Sequence, residues 1–338
     1  MSEVNPVLMY SMAEFESIIK PLLAGLQPRS VCEIGVEKGR FTEFLLAFCR
    51  DNNCSYTGVD VLIEPQIVPL GNGTEAQYIR GRSLDVIPTL PLQDAYFIDG
   101  DHNYYTVINE LRLIASGVDH ASLLFLHDVG WPCGRRDMYY QPESIPTCCR
   151  NPCRSGVGPV PGQQALEEWG LGSTYADIPF SVAEFEGGVR NGVLTAIEDF
   201  LKGPEGAGWR LHIVPAVFGL GILYKPNQSA PAVMSYLTRL FSSAALFSDL
   251  LCRVEENRVQ MFSSFLKSYQ YGKDLAETHQ TLQSEYAALQ KHVAEVKKHL
   301  RELETHAGNL SKAYKELASH VSLVLEENKR LKEGSAIL

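Results

Sequence analysis

The chain has 338 residues, of which 45% are hydrophobic and 21% charged, so it can bury a full-sized core and is not disordered as a whole. It carries 40 acidic and 30 basic side chains, a net charge of -10. Residues 271–338 contain ten of each sign, so the whole acidic excess lies in the first 270 residues and disfavours nucleic acid as a partner. We expect no signal peptide and no transmembrane segment, and eight cysteines without a secretory signal favour the cytoplasm.

Short apolar runs alternate with helical patterns through most of this acidic body. An amphipathic helix is predicted over residues 12–27 and further helices over 39–50 and 104–116. Strands are predicted over residues 30–35, 56–61, 77–81, 95–99 and 122–127. Continuous apolar strands separated by helices are typical of an α/β fold whose parallel sheet is covered on both faces. Two more apolar runs, 209–214 and 219–225, lie too close for a crossover helix and predict a terminal antiparallel hairpin.

The composition predicts three regions. Residues 1–226 form the main domain, interrupted at 130–190 by a stretch rich in Gly, Pro, Cys and Arg whose lack of periodicity indicates a lid or substrate-binding insertion. Residues 232–270 follow a polar linker and are predicted to be a helical connector. Residues 271–334 are predicted to form a coiled coil.

The coiled-coil prediction depends on a sustained seven-residue repeat of apolar positions. The repeat consists of Leu275, Leu282, Leu289, Val296, Leu303, Leu310, Leu317, Val324 and Leu331, and four residues after each of the first eight stand His279, Tyr286, Val293, Leu300, Ala307, Tyr314, Val321 and Asn328. This three-and-four spacing defines a coiled-coil seam. Because no other helical pattern in the chain offers a matching seam, we expect a homo-oligomer. The alternative is a long helix that folds back on its own body.

The first predicted strand runs into a glycine-containing turn, Glu33 to Gly39, at the edge where parallel sheets bind ligands. Gly35 and Gly39 let a ligand lie close to the backbone, but the three-glycine spacing that seats a dinucleotide pyrophosphate is missing. A ligand with an amino acid and a nucleoside part suits this turn better. Asp60 ends the second strand, where a carboxylate can accept both ribose hydroxyls. The alternatives are a simple turn and a helix cap.

Acidic and imidazole side chains follow the next two strands. Asp99 and His102 come after the fourth strand, and His127 and Asp128 after the fifth. Asp99, His127 and Asp128 have the mixed ligand set of a divalent metal site, where a bound substrate hydroxyl would have a lowered pKa. His102 lies within reach of the same hydroxyl as a general base. The alternatives are a hydrogen-bonded loop histidine and an aspartate that caps a turn.

The insertion contains polar groups that can bind a substrate. The candidates are Arg135, Arg136, Arg154, Tyr139, Tyr140 and the pair Arg190-Asn191, and ordinary loop anchors are the alternative. Cys133, Cys148, Cys149 and Cys153 raise the question of a structural zinc ion. Their spacing is not that of paired CxxC knuckles, which favours free thiols.

Taken together, the segments EIGVEKG, VDV, FIDGDH and FLHDVGWP resemble the class I S-adenosylmethionine-dependent methyltransferases, specifically the small-molecule and sugar O-methyltransferase group with a DGDH segment. The resemblance covers about residues 12–226 and implies a Rossmann-like methyltransferase fold. It implies that the cofactor is S-adenosylmethionine, with Glu33, Gly35 and Gly39 around its methionine part and Asp99 also at the cofactor. By the same resemblance, Asp60 holds the ribose and Ser83 lies beside the adenine.

The resemblance also implies a metal site. Asp99, His127 and Asp128 match the magnesium ligands of metal-dependent relatives, and His102 matches the catalytic base. Those relatives usually have an acidic residue or an acid-amide pair where this chain has His127-Asp128. Imidazole favours softer ions, so manganese, iron and zinc join magnesium as candidates, and metal dependence itself stays open. His127 is alternatively a second base or a hydrogen-bonding partner of Asp99.

The leading hypothesis is an O-methyltransferase that acts on a hydroxyl of a sugar or other small polar metabolite, with His102 and Asp99 as its catalytic residues. The coiled coil then makes a homo-oligomer or docks a partner such as a glycosyltransferase or another pathway enzyme. The alternative is an inactive methyltransferase-like scaffold that is assembled through the coiled coil. A third hypothesis, an iron hydroxylase using His127 and Asp128, lacks any independent oxygenase motif.

Overall fold

The computed structural model describes residues 8–117, 122–173, 180–242 and 244–334. The chain divides into two compact units, Met1–Ser268 and Tyr269–Leu338. The first unit contains every strand given below and all residues that the motifs single out. The second unit consists of the distal part of one long helix.

A seven-stranded sheet forms the centre of the first unit. Its strands are β1 Ser30–Ile34, β2 Ser55–Asp60, β3 Ala76–Arg80, β4 Ala95–Ile98, β5 Leu123–Leu126, β9 Arg210–Val214 and β10 Leu220–Tyr224, in the order β3-β2-β1-β4-β5-β10-β9. The first five strands are parallel, whereas β10 runs antiparallel to both β5 and β9. The predicted parallel sheet with a terminal antiparallel hairpin is therefore confirmed, and it is the Rossmann-like methyltransferase fold.

Helices cover both faces of this sheet, as the continuously apolar strands predicted. The helices of the described residues are α1 Glu16–Leu26, α2 Arg40–Asn52, α3 Ser83–Val86, α4 Tyr104–Gly117, α5 Val193–Lys202, α6 Pro231–Ser242 and α7 Ala244–Gly334. Side chains of α1, α2 and α6 pack on one face, around the stacked rings of Phe97 and Phe125, whose centroids are 4.8 Å apart. Side chains of α4 and α5 pack on the other face, where Trp209 is also buried. Successive strand residues point to opposite faces, so each strand contributes to both layers.

The insertion between β5 and α5 contains a second, small sheet that the sequence pattern did not predict. Its strands are β6 Met138–Tyr139, β7 Cys153–Ser155 and β8 Ser181–Ala183, paired antiparallel in the order β6-β8-β7. These strands have two or three residues each, too few to give a readable alternation. The amide of Met138 donates to the carbonyl of His102 at 2.9 Å, which ties the small sheet to the end of β4.

The second unit is helical, as predicted for residues 271–334. The side chains of residues 271–332 are exposed in the single chain, including the seam residues, among them Leu289 at 58% and Leu303 at 65%. Within the described residues, no helix combines the length and the apolar character that a membrane crossing requires.

Candidate active site

One cavity opens at the carboxyl ends of β1, β4 and β5. Six of the predicted site residues line it: Glu33, Gly35, Asp99, His102, His127 and Asp128. The other walls come from the N-terminal segment, from the insertion and from the β9–β10 loop; they include Leu8, Tyr10, Met138, Tyr140, Leu171, Phe180 and Phe218. Sequence reasoning missed most of these wall residues, since nothing local in the sequence brings residues 8–11 or 218 to this edge of the sheet.

The turn after β1 is shaped by a close approach of two backbones. Gly35 has φ +93°, and a Cβ atom there would lie 2.3 Å from the carbonyl oxygen of Asp99. Only glycine accepts both conditions, so this residue lets β1 and β4 converge under the cavity. Gly39, with φ +79°, directly precedes α2 and does not itself line the cavity.

Asp60 holds the same turn from the side of β2. Its Oδ2 accepts hydrogen bonds from the amides of Val36 at 2.8 Å and Glu37 at 3.0 Å, and its Oδ1 accepts one from Leu62 at 3.0 Å. A carboxylate offers about four acceptor positions, so one remains free. Asp60 therefore holds the turn, and its contact with the ribose hydroxyls stays a prediction.

Glu33 is buried at the base of the cavity. Its carboxylate accepts hydrogen bonds from Thr42 Oγ1 at 2.8 Å and from the hydroxyl of Tyr56. Burial raises the pKa of Glu33 to about 8, although these two hydrogen bonds lower it. Ser83, at the start of α3, lies beside Glu110 of α4 and is not among the cavity-lining residues.

The four residues after β4 and β5 form one cluster. His127 Nδ1 lies 3.2 Å from Asp99 Oδ1 and 3.4 Å from Asp128 Oδ2. His102 Nε2 lies 3.2 Å from Asp128 Oδ2 and 3.5 Å from Asp99 Oδ1. The amide of His127 continues the sheet by donating to the Ile98 carbonyl at 3.1 Å, and Asp128 then turns with φ +57°, a conformation that aspartate tolerates. Two parallel strand ends thus bring together the residues that the motifs singled out.

Charge within this cluster shifts its pKa values. Burial raises the pKa of Asp99, but the imidazoles of His127 and His102 outweigh this effect and lower it. Burial lowers the pKa of His102, but the carboxylates of Asp128 and Asp99 raise it to about 9. The same two carboxylates raise the pKa of the buried His127 well above its ordinary value. Without a cation, therefore, the His102 imidazole retains an extra proton at neutral pH.

Two sets of three side chains in the described residues have the spacing of metal ligands. The first is Asp99, His127 and Asp128, and the second is His102, Asp128 and Cys133. Burial raises the pKa of the Cys133 thiol well above its ordinary value, and its sulfur donates to the sulfur of Met138 at 3.2 Å. Because a metal requires the thiolate, the first set is the better one.

Several insertion residues are anchors of the fold and do not face the cavity. Arg136 is buried and donates to the Ala183 carbonyl at 2.6 Å, whereas Arg135 makes a bidentate pair with Glu198 at 2.6 and 2.8 Å. Tyr139 and Asn191 both hydrogen-bond to Asp137, and Arg154 and Arg190 are exposed outside the cavity lining. Tyr140 is the candidate that does line the cavity.

The cysteines of the insertion do not assemble around one point. The sulfurs of Cys148 and Cys149 are 3.6 Å apart, and both residues are free thiols, as are Cys133 and Cys153. Among the described residues, no set with metal-ligand spacing includes Cys148, Cys149 or Cys153.

Comparison with known proteins identifies the core of this unit. Residues 32–129, from β1 through β5, match a family model described as a methyltransferase domain. A search of curated proteins gives no match. Similar solved structures include SAH-bound PaMTH1 from Podospora anserina, with 12% identity and a TM-score of 0.36 over 60% of this chain and 75% of that one.

Two further neighbours have similar scores. A structure from Staphylococcus aureus, assigned as a caffeoyl-CoA O-methyltransferase, shares 14% identity with a TM-score of 0.39 over 66% of this chain and 88% of that one. MycE of the mycinamycin biosynthetic pathway, in complex with Mg, SAH and mycinamycin VI, shares 16% identity with a TM-score of 0.31 over 36% of each chain. The family match over residues 32–129, together with the strand order, shows that this chain contains a methyltransferase domain, as its strand-end motifs predicted.

Proposed function

We propose that this domain transfers the methyl group of S-adenosylmethionine to a hydroxyl of a sugar or other small polar metabolite, with a divalent cation and with His102 as the general base. One observation carries the proposal: the cluster of Asp99, His102, His127 and Asp128 lines the same cavity as Glu33 and Gly35 of the cofactor turn. A methyl donor at the turn and an oxygen at the cluster would therefore meet in one enclosed space.

For the cofactor, we propose that Glu33, Gly35 and Gly39 surround the methionine part. Asp60 has one acceptor position left for a ribose hydroxyl. Gly39, Asp60 and Ser83 all lie outside the cavity lining, but Asp60 binds the amides of the lining residues Val36 and Glu37, whereas Ser83 lies beside Glu110. Ser83 beside the adenine is therefore the least supported of these assignments.

The residues of the first metal-ligand set fit a divalent cation. Nδ1 of His127 lies 3.2 and 3.4 Å from carboxylate oxygens of Asp99 and Asp128, which suits neighbouring ligands with bonds of roughly 2.0–2.2 Å. Nε2 of His127 lies 2.9 Å from the carbonyl oxygen of Val217, so this nitrogen carries a proton and donates. With a cation bound and the ring neutral, Nδ1 would present its lone pair to the position that the carboxylates of Asp99 and Asp128 also face. Metal-binding histidines are oriented in the same way, with the second ring nitrogen donating to a carbonyl.

Two carboxylates and one imidazole favour manganese, iron or zinc over magnesium, and we propose manganese. A cation bound there would polarise the acceptor hydroxyl and lower its pKa. Neutralisation of Asp99 and Asp128 would remove the interactions that raise the pKa of His102, and its Nε2 could then take a proton near neutral pH. The new O–CH3 bond forms as the S–CH3 bond breaks; the hydroxyl proton moves to His102, and S-adenosylhomocysteine leaves.

The cavity wall supports a cyclic acceptor. The ring of Tyr140 lies 5.8 Å from that of His102 and 4.6 Å from that of Phe180, so one aromatic ring stands next to the base and a second stands next to the first. Although the Tyr140 side chain is 39% exposed, desolvation of its hydroxyl and the carboxylates of Asp99 and Glu37 raise its pKa, which keeps the hydroxyl protonated and able to donate a hydrogen bond. A hydroxylated ring could pack against the aromatic rings of Tyr140 and Phe180 and accept a hydrogen bond from the Tyr140 hydroxyl.

Calorimetry with S-adenosylhomocysteine and manganese, followed by transfer of labelled methyl groups to a panel of hydroxylated sugars and phenols, tests the function. We expect binding of both ligands and a transfer activity that H102A and D128N abolish. D51N, which changes an exposed aspartate on α2, is the control. If the intact protein does not bind S-adenosylhomocysteine, the proposal is wrong. Unchanged transfer by H102A and D128N would favour a different active site, and the absence of any transfer would favour the inactive scaffold.

For the tail, we propose that the seam of residues 271–334 pairs with a second copy of the chain, in an assembly that can also dock a glycosyltransferase or another pathway enzyme. Upstream of Ser268, which interrupts the repeat, Phe247, Val254 and Met261 fall in the same seven-residue register and are 56%, 56% and 66% exposed. Charged replacements in the seam, Leu289→Glu with Leu303→Glu, should dissociate the assembly in light scattering, whereas Lys298→Glu outside the seam should not. An unchanged mass in the double variant would contradict self-association through this seam.

A further inference from the structure

The loop between β9 and β10 has an unusual backbone. Val217 and Phe218 adopt φ values of +48° and +63°, a left-handed conformation that is rare for side chains larger than asparagine and especially for a β-branched residue. Such a conformation persists only where surrounding contacts impose it. The contacts around this loop therefore indicate what the conformation is for.

On one side, the amide of Gly130 donates to the carbonyl of Phe218 at 2.6 Å. Further contacts come from Glu255 and Arg258 of α7, within the unit Met1–Ser268. The carboxylate of Glu255 accepts a hydrogen bond from the amide of Phe218 at 2.8 Å. Arg258 donates to the same carboxylate at 2.6 and 2.7 Å, and its guanidinium lies 4.7 Å from the centroid of the Phe218 ring. A third hydrogen bond, 2.9 Å long, joins Arg258 to the carbonyl oxygen of Met9.

The two segments that Glu255 and Arg258 bind, the Val217–Phe218 loop and the residues around Met9, both belong to the active site. The carbonyl oxygen of Val217 lies 2.9 Å from Nε2 of His127, and this contact orients the imidazole with Nδ1 toward Asp99 and Asp128. Phe218 itself lines the cavity, as do the neighbours of Met9, Leu8 and Tyr10. Glu255 and Arg258 thus hold two segments of the active site: the Val217–Phe218 loop, which orients His127, and the segment around Met9, whose neighbours line the cavity. Their hydrogen bonds given above include none to the cluster of Asp99, His102, His127 and Asp128.

We infer that Glu255 and Arg258 are positioning residues for methyl transfer, acting through the Val217–Phe218 loop on the orientation of His127. This inference rests on the proposed function, because it assigns His127 a role in that reaction. An ordinary exposed ion pair on a helix surface would bind neither a loop amide nor a distant carbonyl. Here the two side chains are only 16% and 22% exposed; Glu255 accepts from the loop amide of Phe218, and Arg258 donates to the carbonyl of Met9.

The test compares Glu255→Ala, Glu255→Gln and Arg258→Ala with two controls on the exposed face of the same helix, Glu256→Ala and Arg253→Ala. Manganese affinity and kcat should both fall about 10–100-fold in Glu255→Ala, the usual effect of removing a group that orients a metal ligand. Affinity for S-adenosylhomocysteine should change less than about twofold. The residues that we propose at the cofactor, Glu33 and Asp60, lie on β1 and β2 and not on the Val217–Phe218 loop. Glu255→Gln keeps an acceptor for the Phe218 amide and should recover most of the manganese affinity.

Hydrogen–deuterium exchange of the peptide spanning residues 215–220 provides a readout that needs neither metal nor acceptor. We expect faster exchange in Glu255→Ala and Arg258→Ala than in the controls. If the loop opens but manganese affinity and kcat stay at the control level, the positioning role is wrong while the proposed function stands. If the wild-type chain neither binds manganese nor transfers methyl groups, the proposed function fails, and the exchange result alone then decides whether the pair holds the loop. A parallel loss of manganese affinity, cofactor affinity and melting temperature would mark a general loss of stability and also overturn the inference.

Discussion

The close approach of β1 and β4 at Gly35 makes a quantitative prediction. In Gly35→Ala, the new Cβ would lie 2.3 Å from the Asp99 carbonyl oxygen and 2.5 Å from its carbonyl carbon, so the two backbones must separate by about 1 Å. The left-handed φ of +93° adds a cost of roughly 1–2 kcal/mol for alanine. Overpacking of a close-packed site adds about 1–3 kcal/mol.

Gly208→Ala separates these two effects. Gly208 has nearly the same backbone conformation, φ +84°, but a Cβ at this position would meet no atom within 4 Å beyond its chain neighbours, so the variant suffers the backbone cost alone. We expect Gly35→Ala to be less stable than Gly208→Ala by about 1–3 kcal/mol. Because Asp99 moves with the backbone, kcat should also fall by about 10²-fold, the usual effect of a 1 Å misplacement.

Urea unfolding followed by tryptophan fluorescence measures the difference in stability, since Trp131, Trp169 and Trp209, the three tryptophans of the chain, all belong to the first unit. Calorimetry with S-adenosylhomocysteine measures the effect on the cofactor site, where Gly35→Ala should bind more weakly than Gly208→Ala. Equal stability and equal cofactor affinity in the two variants would refute the reasoning, because the contact with Asp99 would then have no energetic consequence.

Two further predictions concern pH. Burial raises the pKa of Glu110 to about 8, against the opposing effect of the Ser83 hydroxyl, so the folded state binds the extra proton and stability falls as pH rises from about 4.5 to 8. At pH 8, Glu110→Gln should therefore have a free energy of unfolding higher than that of wild type by a few kcal/mol, on the order of the pKa shift, and it should lose this advantage near pH 5. If the unfolding free energies of the two proteins changed equally with pH, the account would be contradicted. Burial lowers the pKa of His102 but Asp128 and Asp99 raise it to about 9, so transfer in EDTA should increase as pH approaches 9. Manganese should move that increase to lower pH, and identical rate profiles with and without manganese would argue against His102 as a base controlled by these carboxylates.

The parallel sheet with its terminal hairpin and the meeting of Asp99, His102, His127 and Asp128 at one edge were predictable because they follow from local pattern. Strands buried on both faces are continuously apolar, and the carboxyl ends of parallel strands lie at one edge of a sheet. Residues that directly follow β4 and β5 therefore lie at that edge, and the pairing of β4 with β5 makes them neighbours. The roles of Arg135 and Arg136 were not predictable, because their partners lie far along the chain: Arg136 binds the carbonyl of Ala183 and Arg135 binds Glu198.

The amino-acid sequence alone thus determined the sheet, the helices that cover it and the edge at which the chemistry is located, since these depend on periodic burial and on residues next to strand ends. Only the tertiary structure decided which side chains close the cavity and which way His127 faces. Both depend on contacts between segments that are distant in sequence, such as Phe218 with Glu255 and Met9 with Arg258, and no local pattern encodes the geometry of such contacts.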